Sequence, residues 1–227
     1  MSELKETIMK TAQTPQNLII INGELHAFSD SSNEITIQDN NIIISPQQNS
    51  KINLYIIDDS EKSIKQDIEV NFQEKNAEIS LFGLYQGRDI QTLDIKTVIN
   101  HTVSNCISRQ LWKGVLHDSS KASFEGKIIV ARNAQKTEAH LLNKNLLLSK
   151  TAEVTTRPFL EIDANDVKCS HGATVGCLDE NALFYLRARG ITENDARNLL
   201  IEGFVNEIIN STEALAKACA RISRVTL

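Results

Sequence analysis

From about residue 17 to residue 176 the chain is built of short runs in which apolar residues recur at every second position. Examples are Ile35–Ile37, Ile42–Ile44, Ile52–Ile56, Ile68–Phe72, Ile79–Leu81, Leu93–Ile95, Ile128–Val130 and Leu160–Ile162. A period of two predicts strands with one buried face. Asn, Asp, Ser, Gln and Lys fill the gaps, and no long helical pattern intervenes, which argues against alternating strand–helix units. Many short strands at close spacing fit a sandwich, a barrel or a parallel β-helix. No repeat of fixed length separates them, so the pattern alone leaves a solenoid and a sandwich or barrel as equal alternatives. Asn143 and Asn145, flanking Lys144, read as corner residues of stacking turns.

The texture changes at Asp179. That residue is placed to cap a helix running through Ala182, Leu183, Tyr185 and Leu186 to Arg189, with Gly190 as its stop. Thr192 opens a second helix with a capping-box-like Thr-Glu-Asn-Asp, followed by Ala196, Leu199, Leu200, Phe204 and Ile208 at helical spacing. Gly203 costs this helix about 1 kcal/mol relative to Ala, and close packing is the expected reason. A last helix is expected from Ser211 to about Arg221. The expected organisation is an N-terminal extension (1–16), a β core (17–177) and a C-terminal helical segment (178–227). That segment is too small for its own core, so it should dock on the β part or on another protein.

Composition narrows the function classes. Of 227 residues, 41% are hydrophobic and 23% charged, as in ordinary globular proteins. With a net charge of −5, nothing suggests a strategy of wrapping nucleic acid phosphates. No apolar run approaches the roughly 18 residues that span a bilayer, and MSELKETIMKTAQ lacks the basic start and apolar block of a secretory signal. A cytoplasmic protein contacting neither membrane nor nucleic acid is expected. The four cysteines, Cys106, Cys169, Cys177 and Cys219, form no CxxC pair and are expected as free thiols.

Most signatures of catalysis are missing. Gly126-Lys127 is followed by Ile, so there is no phosphate loop, and this chain should bind no nucleotide itself. GxGxxG, GxSxG and HExxH are absent as well. Glu161 and Asp163 share a face but read more simply as solvated carboxylates. His26, His101, His117 and His140 are isolated in sequence, and each reads as a structural histidine. Trp112, the only tryptophan, reads as core or interface. The run LEIDANDVKCSHGATVG (160–176) carries the one pairing of metal-binding type. Cys169 and His171 lie two apart in a predicted strand and so point to the same face. A thiolate and an imidazole there would suit iron or zinc, but two donors are half a site. Val167 shares their face, so the more ordinary reading of the pair is as core.

The segments FEGKIIVARNAQKTEAHLLNKNLLLS (124–149) and TRPFLEIDANDVKCSHGATVGCLDENALFYLRARGI (156–191) resemble the SufB/SufD family of iron–sulfur cluster assembly proteins, and SufD more than SufB. The resemblance covers roughly residues 77–209. It implies a right-handed parallel β-helix with a small C-terminal α-helical segment. It also implies a non-enzymatic subunit of the SUF scaffold that pairs with SufB through the β-helix and with the SufC ABC ATPase through the helices. Such a subunit contributes to iron acquisition and nascent cluster formation. By motif position, Cys169 and His171 are the implied ligands of iron or a transient cluster at the partner interface, and Phe184, Tyr185, Arg187, Arg189 and Phe204 the implied ATPase-docking surface. Family members are longer, with a helical region before the β-helix, so a short form is expected here. The alternatives are a structural partner that only stabilises SufB and SufC, and a self-paired homodimer. A β-solenoid enzyme acting on polysaccharide is disfavoured, because aromatics make up only 5% of the chain.

Overall fold

The computed structural model describes residues 16–28, 33–38 and 40–210. They form thirteen strands and two helices: β1 (Gln16–Ile21), β2 (Glu24–Phe28), β3 (Glu34–Gln38), β4 (Asn41–Ser45), β5 (Lys51–Asp58), β6 (Ile64–Phe72), β7 (Glu78–Gly87), β8 (Thr92–His101), β9 (Ile107–Leu116), β10 (Lys121–Val130), β11 (Thr137–Leu147), β12 (Glu153–Ile162), β13 (Val167–Gly176), α1 (Glu180–Ala188) and α2 (Glu193–Ile209). From β4 onward the chain alternates between two walls. One sheet runs β13-β11-β9-β7-β5-β1-β2 and the other β12-β10-β8-β6-β4-β3. Every pairing between successive coils is parallel, which makes a β-solenoid of about five turns. The solenoid alternative is therefore the correct one of the two that the alternation allowed.

The coils do not advance by a constant step. Ile52, Ile79, Ser108, Ala139 and Cys169 share one column, with steps of 27, 29, 31 and 30 residues. Corners of unequal length hide the repeat from a search at fixed period. A subtler repeat is present at one corner. Asn49, Asn76, Asn105 and Lys136 each take a positive φ of about 60°, a conformation that Asn tolerates better than most residues. Each is followed by a small buried residue: Ser50, Ala77, Cys106 and Thr137. Cys106 is thus one of a column of small corner residues, its thiol donating to the Glu74 carbonyl at 3.3 Å.

Asn143 and Asn145 are not corner residues. Both lie in β11, point into the lumen and are buried. The Tyr85 hydroxyl donates to Asn145 Oδ1 at 2.5 Å, Asn143 Nδ2 donates to Tyr85 Oη at 3.2 Å, and Asn145 Nδ2 donates to Asn143 Oδ1 at 2.7 Å. Tyr85 reaches across a whole coil because Gly114 lies in register between it and Asn145. A Cβ there would sit 2.4 Å from both the tyrosine ring and the asparagine oxygen. The sequence texture of Asn-Lys-Asn misled because hydrogen bonding satisfies these amides inside the core.

The helices cover the outer face of the seven-stranded sheet at the C-terminal ends of its strands. Ile19, Ile21, Tyr55, Ile57, Leu84, Val115 and Leu146 form a second core with Leu183, Ala196, Ile201, Val205 and Ile208. Burial on both faces explains why β5, β7 and β9 lose their alternation and end in continuous buried runs. Asp179 and Thr192 cap the helices as expected, accepting from Asn181 N at 2.9 Å and Asp195 N at 3.2 Å. Gly190 has φ 87° and ends the first. The buried stripe of α2 is rotated from the one expected: Leu199 is exposed, and Ile201 and Val205 take its place. Beneath α2, Lys113 is only 2% exposed. Its ammonium donates to the Phe204 carbonyl, pairs with Glu207 and lies 4.6 Å from the Phe204 ring centroid.

Close packing does not account for Gly203, since a Cβ there would meet no atom within 4 Å. Gly203→Ala is therefore expected to stabilise the protein by about 1 kcal/mol through helix propensity. A thermal midpoint that falls rather than rises would contradict this. The helix expected at Ser211–Arg221, and all but Gln16 of the 1–16 extension, lie outside the described residues. Among those described, no helix is long and apolar enough to cross a membrane.

Candidate functional site

The two ends of the solenoid differ. At the N-terminal end each sheet finishes in a short antiparallel strand, β2 or β3. At the C-terminal end both walls finish in ten-residue parallel strands, β12 and β13, each paired on one side only. Among the described residues no strand pairs with their outer edges, and such an edge is a template for pairing with another sheet. The terminal coil also exposes Phe159 (47%), Ile162 (38%) and Val175 (49%).

Cys169 and His171 lie in this terminal coil. Their register partners on β11 are Ala139 and Leu141, both buried in the lumen, so the pair faces inward at the open mouth of the solenoid. Cys169 is half-buried and packs on the main core, whereas His171 is exposed. The ordinary reading as core thus describes part of Cys169 and none of His171. Burial pushes the Cys169 thiol up, against a lowering contribution from the Ala139 backbone. The resting group is the thiol, and a metal arriving there must displace its proton. Among the described residues no three His, Cys, Asp or Glu side chains gather to hold a metal ion, so within them the pair remains an incomplete donor set. Cys177 is exposed just past the end of β13, and Cys219 lies outside the described residues.

Outside the mouth, His140 Nδ1 bonds Ser170 Oγ at 2.7 Å, which ties β13 to β11 between the two candidate ligands. Sequence reasoning passed over this link because the two residues are thirty positions apart. His101 is buried, stacks on Phe72 with centroids 4.4 Å apart and bonds Ser108 Oγ at 2.8 Å. His117 is half-buried at a corner, and burial lowers its pKa. Glu161 pairs with Lys127 at 2.7 Å, and Trp112 is in the core. The side chain of His26 is outside the described set.

The helical surface is separate from the mouth. Phe184 (73% exposed) and Tyr185 (56%) project from α1. The Arg189 guanidinium lies 4.4 Å from the Tyr185 ring centroid, and Arg187 pairs with Glu193 at 3.4 Å. Leu199, expected from the sequence on the buried stripe, adds an exposed apolar side chain on α2. Phe204 stands apart from this group. It is half-buried and packs toward the solenoid over Lys113.

The family described as "SUF system FeS cluster assembly, SufBD core domain" matches residues 24–204. Iron-sulfur cluster assembly protein SufD of Escherichia coli is 49% identical over 125 residues, which is 55% of this chain and 29% of that protein. An iron-sulfur cluster assembly SufBD family protein of Synechocystis is 42% identical over 124 residues, 55% of this chain and 27% of that protein. Protein ABCI7, chloroplastic, of Arabidopsis thaliana is 46% identical over 122 residues, 52% and 25% respectively. The matched stretch spans less than a third of the length of each of these relatives.

Proposed function

Because the chain belongs to the SufBD core family of the iron–sulfur cluster assembly system, we propose that it is a SufD-like scaffold subunit, without catalytic chemistry of its own. In this reading the solenoid, residues 17–177, pairs through its open terminal coil with a SufB-like subunit in the cytoplasm. The helical segment, 178–227, receives a SufC-like ATPase on the surface around Phe184, Tyr185, Arg187 and Arg189. Phe204 contributes by holding α2 on the solenoid. Iron or a nascent cluster is the cargo. Cys169 and His171 supply one half of its coordination, and the partner supplies the rest.

The observation that carries this reading is the coincidence of two features. The only wall ends left as long unpaired parallel edges among the described strands belong to the coil that holds the thiol and the imidazole. An incomplete soft-donor set at a bare sheet edge is what a site completed across an interface requires. The half-buried Cys169 keeps a protonated thiol until metal arrives, which protects it from oxidation while the seam is closed.

The test is anaerobic reconstitution of the complex co-expressed with SufB-like and SufC-like partners, with iron and acid-labile sulfide measured on the purified assembly. His171→Ala and Cys169→Ser are each expected to weaken iron retention by about tenfold or more, since even an outer-shell change costs that much at ordinary metal sites. Full cluster yield in both variants, with the complex intact, would reduce the chain to a structural partner.

A further inference from the structure

The outer faces of the two walls carry charge ladders that stop short at the open coil. On the six-stranded sheet, Asp67, Lys96, Glu125 and Arg157 stand in register, alternating in sign from coil to coil. On the seven-stranded sheet, Glu78, Ile107, Glu138 and Lys168 share a column, and Arg109 bridges Glu78 and Glu138 at 2.8 Å each. The acidic residues of the two terminal strands are already served by the coil beneath. Glu153 pairs with Lys121 at 3.1 Å and Glu161 with Lys127 at 2.7 Å.

The two strand cations are not served in this way. The carboxylate facing Arg157 is Glu125, which is engaged by Lys96 at 3.5 Å. The one facing Lys168 is Glu138, which is held by Arg109 and lies 3.4 Å from His140. Neither Arg157 nor Lys168 makes an ion pair among the described residues, and both are exposed. Asp163 and Asp166 also lie on this coil, but at the corner between the strands, off the edges themselves.

We infer that Arg157 and Lys168 are the specificity contacts of the terminal coil, and that the sheet edge which completes it bears carboxylates opposite these two positions. The next strand in a sheet lies about 4.8 Å away with side chains on the same face, so it places its own residues where the ladders would continue. Opposite charges directly across a strand pair are favourable and like charges unfavourable. A one-residue slip moves every outer side chain to the inner face, so two fixed charge positions on two walls set the register as well as the partner. Exposed charges of this kind govern choice of partner and rate of encounter more than raw affinity. The inference rests on the pairing proposed above and adds the chemistry that the partner's edge must have.

The probe is a purified SufB-like homologue, titrated against the full chain at low and high salt. Arg157→Glu combined with Lys168→Glu is expected to weaken binding at low salt about tenfold or more. It should also invert the salt response of the wild type, since added salt then screens a repulsion, and replacing the facing carboxylates of the homologue with lysine should restore binding. Phe159→Lys combined with Val175→Lys serves as the control for the surface itself. If this control destroys binding while the charge reversal leaves affinity and salt response unchanged, the pairing stands and the specificity role is overturned. If neither double variant affects binding, the terminal coil is not the seam, and the pairing fails along with the inference.

Discussion

Gly83→Ala is expected to destabilise the protein by about 3 kcal/mol, at the upper end for overpacking a tight core. Gly83 and Trp112 are register partners on β7 and β9. A Cβ on residue 83 would fall 2.0 Å from Cε3 and 2.1 Å from Cζ3 of the indole, so the missing side chain is the space in which the tryptophan lies. The indole has no route of retreat. Its ring is fixed between Tyr85, with centroids 6.5 Å apart, and Phe124, at 5.5 Å. The neighbouring gap at Gly126 is already filled by Leu141, whose Cδ2 would stand 2.5 Å from a Cβ there. Chemical denaturation with an unchanged m-value would report the loss. The same substitution in a Trp112→Leu background should cost much less than in the wild type, because the two changes share one clash. Equal costs in both backgrounds would show that the indole is not the obstacle.

The second large effect concerns pH. Burial pushes Asp58 up to about 6, against hydrogen bonds from the Ser60 backbone and side chain and with a small push from Asp59. One of its carboxylate oxygens has no hydrogen-bond partner. Burial likewise pushes His101 down to about 4. The two shifts act in opposite directions. A carboxyl whose folded pKa is raised contributes stability below its unfolded pKa near 3.9 and loses it as pH rises through 6. An imidazole whose folded pKa is lowered contributes stability above its unfolded pKa near 6.5 and loses it as pH falls through 4. At about 1.4 kcal/mol per pKa unit, each is worth roughly 3 kcal/mol, and the two offset each other across the window from about pH 4 to 6.

Asp58→Asn is therefore expected to raise stability at pH 7 by about 2–3 kcal/mol and to uncover a steep acid loss from His101 between pH 6.5 and 4. His101→Phe is expected to do the reverse, leaving a protein that grows more stable on acidification over the same window. Denaturant midpoints followed from pH 4 to 8 would show both. An Asp58→Asn profile parallel to that of the wild type would mean that the carboxyl is not the opposing group. Depressed carboxylates such as Glu207, paired with Lys113, add a further loss at low pH. That contribution is common to wild type and variants and cancels in the comparison.

Much of this architecture is visible in the linear chain. Alternation marked the strands because each wall has one face in the lumen. Asp179, Gly190 and Thr192 marked the helix ends because capping is local chemistry. The repeat was missed because it is carried by corner geometry, a left-handed residue followed by a small one at Asn49, Asn76, Asn105 and Lys136, and not by spacing. The candidate site was half legible. Two donors at i, i+2 announce a shared face, and the structure adds which face it is and that no coil among the described residues covers it.

What the sequence by itself determined is what depends on near neighbours: the strand period, the helix caps, the Cys-Ser-His run and the family it signals. Only the tertiary structure decided which residues meet across coils some thirty positions apart. It placed Asn143 and Asn145 inside against Tyr85, gave Trp112 the space left by Gly83, buried Lys113 under α2, and left Cys169, His171, Arg157 and Lys168 on the last coil of the described residues. The reason is physical. Periodicity records which way a side chain points, but burial, volume and charge balance depend on what lies opposite, and in a solenoid the opposite residue belongs to the next turn.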